Sequence, residues 1–247
     1  MQSPSKDPVA TFSAARDDGD LVVLEGIHPW KHASRFGAAI VIAVTNDRER
    51  LTGLVAQLAP DLALDRVQDI DPETWDRLAQ RDPTSPLLAV AERRRWTLDD
   101  IGGDGDVVVL DRPRHGGNVG AAIRAAAAAD AAGVITLGGI DPWTSAAVRG
   151  AAGLQFALPV IRLDEGAPLP DLGRHSVGLD PAGPPLPTTT RGATTWVFGT
   201  ERKGLADRLR IACDDVHSLP MRAGVSSLNL AVSVGVVLYL HRRAASR

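Results

Sequence analysis

The sequence predicts an α/β fold arranged as two units in tandem, and three observations predict it. Short β-branched or apolar runs alternate with helix-like stretches over most of the 247 residues. A charged and then glycine-rich segment, residues 92–105 (ERRRWTLDDIGGDG), interrupts that alternation and marks the linker, set at 99–105. In the second half, glycine-bearing loops follow the strand-like runs at the places where an open α/β sheet tends to hold a ligand.

In order along the chain, residues 1–19 are polar and read as a disordered tail. The first unit, 20–98, opens with a short strand at Leu21–Glu25 and a helix at Ile27–Phe36. Ala38–Thr45 is a buried strand by its β-branched run. Asn46 is expected to cap the next helix, with Glu49 completing a capping box. A strand at Ala63–Asp69 precedes Asp71-Pro72, a helix start with proline at the first helical position, and Leu87–Ala91 closes a small α/β sandwich.

The second unit, 106–247, begins with the apolar strand Val107–Leu110, the loop DRPRHGGNVG and an alanine-rich helix. Strands are expected at Val134–Leu137, Leu158–Leu163, Ser176–Leu179 and Thr195–Phe198, with helix in the middle of 141–153. A short run from Val216 to Met221 follows, then a helix from Leu228 to Leu240. That helix is apolar almost all round, the pattern of a buried one.

Composition narrows the function classes. A 44% hydrophobic and 23% charged chain is an ordinary globular protein, and a net charge of −3 argues against indiscriminate nucleic-acid coating, though not against a local basic patch. Lysine occurs only at 6, 31 and 203, arginine replacing it elsewhere. Cys213 is the single cysteine, which excludes an intramolecular disulfide and a cysteine-rich zinc site; it is expected to pack in a reducing, cytoplasmic setting. No His/Cys/Asp/Glu cluster has metal-ligand spacing, so no metal is expected. No apolar run reaches the roughly 20 residues that span a bilayer, so no membrane is expected either.

Three stretches carry chemistry. The first, Arg114-His-Gly-Gly-Asn-Val-Gly120, lies between a strand and a helix, followed by Arg124. Alone it suggests a phosphate or dinucleotide site at a helix N-terminus, with Asp141 in the place of a ribose-binding acid, but Gly117-x-x-Gly120 lacks the Gly-x-Gly of that fingerprint. The second is Gly199-Thr-Glu201-Arg-Lys-Gly204. The third is Leu219-Pro-Met221, a short loop and Ser227-Leu228-Asn229, where Asn229 puts an amide that needs partners into the first turn of an apolar helix. Asn118 and Ser227 could serve only as helix caps, and Glu201 and Arg124 only as solvated side chains.

Together the stretches resemble the SpoU/TrmH branch of the SPOUT methyltransferases. Asn118-x-Gly120 with Arg124 matches the family's first motif, Gly199-x-Glu201-x-x-Gly204 its second, and Pro220-Met221 with Ser227-Leu228-Asn229 its third. Two departures stand out: His115-Gly116-Gly117 replaces the usual Asp-Pro before the asparagine, and Ala151 stands where a serine is common. Leu24-Glu25-Gly26 and His32-Ala33 are similar to the family's recognition domain, itself like ribosomal proteins that bind kinked RNA.

The resemblance implies a parallel sheet with helices on both faces, a deep trefoil knot and a homodimer. It implies transfer of a methyl group from S-adenosylmethionine to a ribose 2′-hydroxyl of ribosomal RNA, with transfer RNA as the alternative. Gly199, Leu219, Met221 and Leu228 would hold the cofactor. Arg124 would act on the 2′-hydroxyl, either as the general base the family is often given there or by orienting the hydroxyl and stabilising the developing alkoxide, which needs no deprotonated guanidinium. Asn118, Glu201, Ser227 and Asn229 would position Arg124 and the ribose. Lys31, Arg35, Arg112 and Arg114 could hold RNA phosphates, each being equally able to sit on a solvated face. A nucleotide-binding enzyme and a non-catalytic RNA-binding relative remain the alternatives from other classes.

Overall fold

The computed structural model describes residues 7–80, 83–187, 192–200, 204–225 and 227–245. It divides into two compact units. One holds the chain up to Arg94 together with Ala152–Ala157, and the other holds Arg95–Ala151 and Leu158 onward.

The first unit is a four-stranded sheet in the order β1-β4-β2-β3, with β1 Leu21–Glu25, β2 Ile40–Thr45, β3 Val67–Asp69 and β4 Leu88–Glu92. Strand β4 runs antiparallel to both β1 and β2, while β3 is parallel to β2. Helices α1 Pro8–Asp17, α2 Ile27–Arg35, α3 Arg48–Leu58 and α4 Pro72–Leu78 complete the unit. Gly26 precedes α2 at φ +95, and Ser85 Oγ takes the Ile27 N–H at 2.8 Å, supplying the cap that a glycine cannot.

Three expectations are corrected here. The segment read as a loose tail contains α1, which buries Phe12 among Val44, Trp75 and Leu88. Asp7 caps that helix through Val9 N–H with Pro8 at the first helical position, the same Asp-Pro signal as Asp71-Pro72. The cap of α3 is Asp47, which accepts from Arg50 N–H at 2.9 Å, one residue after Asn46. Strand β3 is only Val67–Asp69, because Leu64 and its neighbours form a turn that ends in Val67 N–H bonding to Leu64 O.

The second unit is a six-stranded sheet in the order β10-β8-β9-β5-β6-β7, every pairing of which is parallel. Its strands are β5 Val107–Asp111, β6 Gly133–Leu137, β7 Val160–Leu163, β8 His175–Leu179, β9 Thr194–Phe198 and β10 Asp215–His217. Helices α5 Gly116–Ala128, α6 Ser145–Gly150, α7 Asp207–Ala212 and α8 Leu230–Ala245 flank it. Alternation along the strands sends side chains to both faces. Val107, Val109, Ile135 and Val197 pack with Leu205 and with Leu209 of α7. On the opposite face Trp196 meets His241 of α8 edge-on, ring centroids 5.3 Å apart. His241 Nδ1 also lies 2.6 Å from Asp106 Oδ2, and Asp106 Oδ1 accepts the Thr194 N–H, so one carboxylate ties α8 to the starts of β5 and β9. No helix among the described residues is long and apolar enough to cross a membrane.

Helix α8 is not buried all round. Leu230, Val234, Val237, Leu238 and His241 turn inward, whereas Val232, Val236, Tyr239 and Leu240 form an exposed stripe on the other side. Composition alone does not separate an inner face from an apolar outer one when both are built of Val and Leu.

Cys213 packs at the edge of the α7 face, its Sγ 3.3 Å from the place where a side chain on Gly178 would begin. Burial, reinforced by the neighbouring Asp214 charge, pushes the thiol up from 9.0 to about 11. The unfolded thiol ionises first as pH rises, so the native state loses stability between pH 9.0 and about 11, while Cys213 stays protonated and unreactive below that window. Alkylation of the native protein just below pH 9.0 is expected to be far slower than of the urea-unfolded chain; equal rates, followed by mass spectrometry, would refute this burial.

Candidate active site

The site follows from the register of the second sheet. Leu110 pairs with Phe198, Phe198 with Leu179, and Leu179 with His217, so the carboxyl ends of β5, β9, β8 and β10 fall in one row. The sheet order reverses between β5 and β9, where a parallel sheet opens a crevice for a ligand. All three motif loops leave from this row: the first follows β5, the second β9 and the third β10.

The loop after β9 is pinched shut. Thr200 N–H bonds to Gly204 O at 2.9 Å and Gly204 N–H to Thr200 O at 3.0 Å. A side chain on Gly199 would begin 2.1 Å from the Gly204 carbonyl carbon and 2.3 Å from Leu205 N, so only glycine allows this crossing of backbones. Glu201 lies outside the described residues.

Beside it opens a cavity of about 480 Å³, within the usual range for small-molecule sites. Gly199, Leu219, Met221, Ser227 and Leu228 all line it, together with Phe198, Thr200 and Leu230. Asp180 and Arg210 line it too, and sequence reasoning missed both. Asp180 comes directly after β8 and is followed by Pro181, the kind of strand-exit turn that could have flagged it. Arg210 is one arginine among many on a short helix and carries no such signal.

The first and third motifs meet directly. Asn229 Nδ2 donates to Asn118 Oδ1 at 3.1 Å, and Asn229 Oδ1 accepts the Ala231 and Val232 N–H groups at 2.9 and 3.4 Å. Asn229 is therefore the N-cap of α8, which leaves Ser227 free of that duty and on the cavity wall. From this contact α5 and α8 run side by side and parallel, as far as Tyr239 Oη donating to Ala128 O at 3.4 Å. Arg124 is exposed on α5 and is not among the residues lining the cavity.

Gly120 has a packing role. A side chain there would begin 2.2 Å from Ala147 O and 2.8 Å from Gly150 Cα, so its absence lets α5 lie against α6. Asp141 accepts the Trp143 N–H at 3.0 Å in the turn leading toward α6.

The four candidate phosphate contacts are placed differently from one another. Arg35 grips Asp61 through two bonds of 2.8 and 2.5 Å, which draws that carboxyl down to about 2, and Lys31 sits one turn earlier on α2, half-buried. Arg112, at φ +42, turns its fork onto fully buried Asp111, which raises the guanidinium pKa, and Arg208 reaches the same carboxylate at 3.3 Å. Arg114 is exposed.

The profile of the SpoU rRNA Methylase family matches residues 106–239, the span that carries this row of loops. The chain belongs to that family. Among curated SpoU-type relatives it is 28% identical over 236 residues to the 23S rRNA (uridine(2479)-2′-O)-methyltransferase of Streptomyces viridochromogenes, covering 90% of this chain and 82% of that one. It is 29% identical over 234 residues to the 23S rRNA (guanosine-2′-O-)-methyltransferase RlmB of Bordetella pertussis, covering 88% and 95%. The solved SpoU methyltransferase AviRb of S. viridochromogenes, in complex with AdoMet, superposes with a TM-score of 0.76 at 25% identity, over 96% of this chain and 98% of that one. The parallel sheet with its flanking helices is thus the SPOUT architecture.

Two of the three glycines in the stretch Arg114–Gly120 give a paired test. Gly117→Ala, with nothing near its new methyl and a helical position, should gain about 0.5–1 kcal/mol. Gly120→Ala should lose about 2 kcal/mol or more through the clash with α6. Urea unfolding measures both, and equal effects would refute the packing role.

Proposed function

We propose that this SpoU-family protein methylates the 2′-hydroxyl of a ribose in ribosomal RNA. The observation that carries the reading is the convergence of the three family motifs at one sheet edge, with Asn118 and Asn229 bonded across 111 residues of chain. S-adenosylmethionine supplies the methyl group when bound. The cavity suits it: Gly199 leaves backbone exposed where a side chain would collide, and Leu219, Met221 and Leu228 add an apolar wall.

A ribose hydroxyl is a weak nucleophile, so the protein must align it and stabilise the charge that develops as its proton leaves. Arg124 does this as a fixed cation, through hydrogen bonds to the hydroxyl or its neighbouring phosphate. Asn118, held by Asn229, orients the RNA-facing end of α5, Ser227 adds a hydroxyl to the cavity wall, and Glu201 is assigned a share in positioning Arg124 and the ribose. The unit built on β1–β4 recognises the RNA, with Lys31, Arg35, Arg112 and Arg114 as phosphate contacts. The requirement for a 2′-hydroxyl selects RNA over DNA. Cytoplasmic RNA is the setting in which such an enzyme works.

The partner that completes the site is a second copy of the chain. Arg124 stands outside the cavity of its own subunit, and α8 beside it presents the apolar stripe Val232, Val236, Tyr239 and Leu240. A two-fold pairing through α8 covers that stripe and brings one subunit's Arg124 to its partner's cavity. A trefoil knot fits the close crossing of backbone at Gly199.

Labelled methyl from S-adenosylmethionine should enter ribosomal RNA from cells lacking the gene and appear as a 2′-O-methylnucleoside; label on a base, or in transfer RNA alone, would overturn the reading. Arg124→Ala should abolish turnover while cofactor affinity stays within about twofold of wild type. Val236→Glu, assayed by analytical ultracentrifugation, should shift a dimer to monomers and remove activity with the fold intact; a wild-type monomer that is active would refute the shared site.

A further inference from the structure

The cavity wall holds a charge pair for which the methyl-transfer step has no use. Most of the described lining residues are apolar or carry hydroxyls; Asp180 is the one acid among them and Arg210 the one base. They are joined, Arg210 Nη2 donating to Asp180 Oδ2 at 2.6 Å.

Asp180 is fixed on every side. It is 7% exposed. Its N–H donates to His217 O at 2.9 Å, its carbonyl accepts the Gly183 N–H at 3.0 Å, and its Oδ1 accepts the Ala182 N–H at 2.9 Å. The carboxylate is therefore a rigid support at the exit of β8, and it sets the direction of the guanidinium from α7. Arg210 remains partly open, its side chain 39% exposed. A guanidinium has five N–H donors in a planar fork, and among the described residues the bond to Asp180 is the only one it makes.

The charge balance matters to a cationic ligand. S-adenosylmethionine has a positive sulfonium and ammonium and a single anionic group, the carboxylate of its amino-acid tail. A lone arginine on the wall would repel the first two as well as attract the third. With Asp180 beside it the pair is neutral overall, so discrimination comes from the direction of hydrogen bonds.

We propose that Arg210, positioned by Asp180, binds the carboxylate of the cofactor's amino-acid tail. This rests on the reading that the cavity holds S-adenosylmethionine. Sequence distance hides the arrangement: Asp180 and Arg210 lie outside all three motif stretches, on the strand end and the helix that frame the second.

The test compares calorimetric affinities for S-adenosylmethionine, S-adenosylhomocysteine and 5′-methylthioadenosine, which keeps the adenosine and the thioether and lacks the tail. Arg210→Gln should weaken the first two by about ten- to a hundredfold and leave the third unchanged. Asp180→Asn should lose the same selectivity, and the double variant should be no worse than either single one, as expected of residues acting as a unit. Arg210→Lys, which keeps the charge without the fork, should recover only part of the loss. Unchanged affinity for S-adenosylmethionine in Arg210→Gln overturns the proposal, as does an equal loss for all three ligands, the mark of a merely structural pair. Failure of the wild-type protein to bind any of them would instead remove the cofactor reading beneath it.

Discussion

The parallel ladder that joins β10, β8, β9 and β5 is the constraint on which the rest depends. Parallel strands in register must end together, and here Leu110, Phe198, Leu179 and His217 mark a common edge. Every loop that builds the cavity or carries a motif starts from that edge. The loops themselves need little internal structure, because their roots are already placed within a few strand widths of one another. What they do need is close passage, and glycine provides it: Gly199 admits the backbone of Gly204 and Leu205, and Gly120 admits α6.

Polar groups then decide how the edge is finished. Asn229 satisfies the N-terminal N–H groups of α8 with one end of its amide and holds Asn118 with the other. Asp106 does a comparable task at the far end of the same helix, through His241 and the Thr194 N–H. Helix α8 is thereby anchored at both ends by side chains that reach to other elements. Its orientation is set by these contacts as much as by its apolar inner face.

Much of this was legible in the sequence, for reasons that differ between elements. The central strands β5, β6 and β9 are buried along their whole length and rich in β-branched residues because they are covered on both faces, and such runs are easy to read. Helix α1 escaped because its surroundings are polar and only Phe12 and Ala15 turn inward, although Asp7-Pro8 carried the same start signal that was read at Asp71-Pro72. Asn46 and Asp47 are both good caps, and local pattern does not choose between them. The outward stripe of α8 was hidden by composition, since the residues on its two faces are alike. In the candidate site, the motif residues were readable because loops with fixed chemistry keep short, dense signatures. Asp180 and Arg210 were not, because a strand-end acid and a helix arginine acquire meaning only when the fold places them 2.6 Å apart.

The bond between Asn118 and Asn229 also bears on the order of events in the life of the chain. It joins residues 111 positions apart, and α8 emerges from the ribosome after every strand of both sheets. Contacts of such long range form late and slowly. A nascent chain can therefore complete its strands, and even its glycine crossings, while the edge that carries the motif loops is still open. The contact between the first and third motif stretches therefore closes only when α8 docks, and the row of loops is finished by that late step and not by the sheet itself.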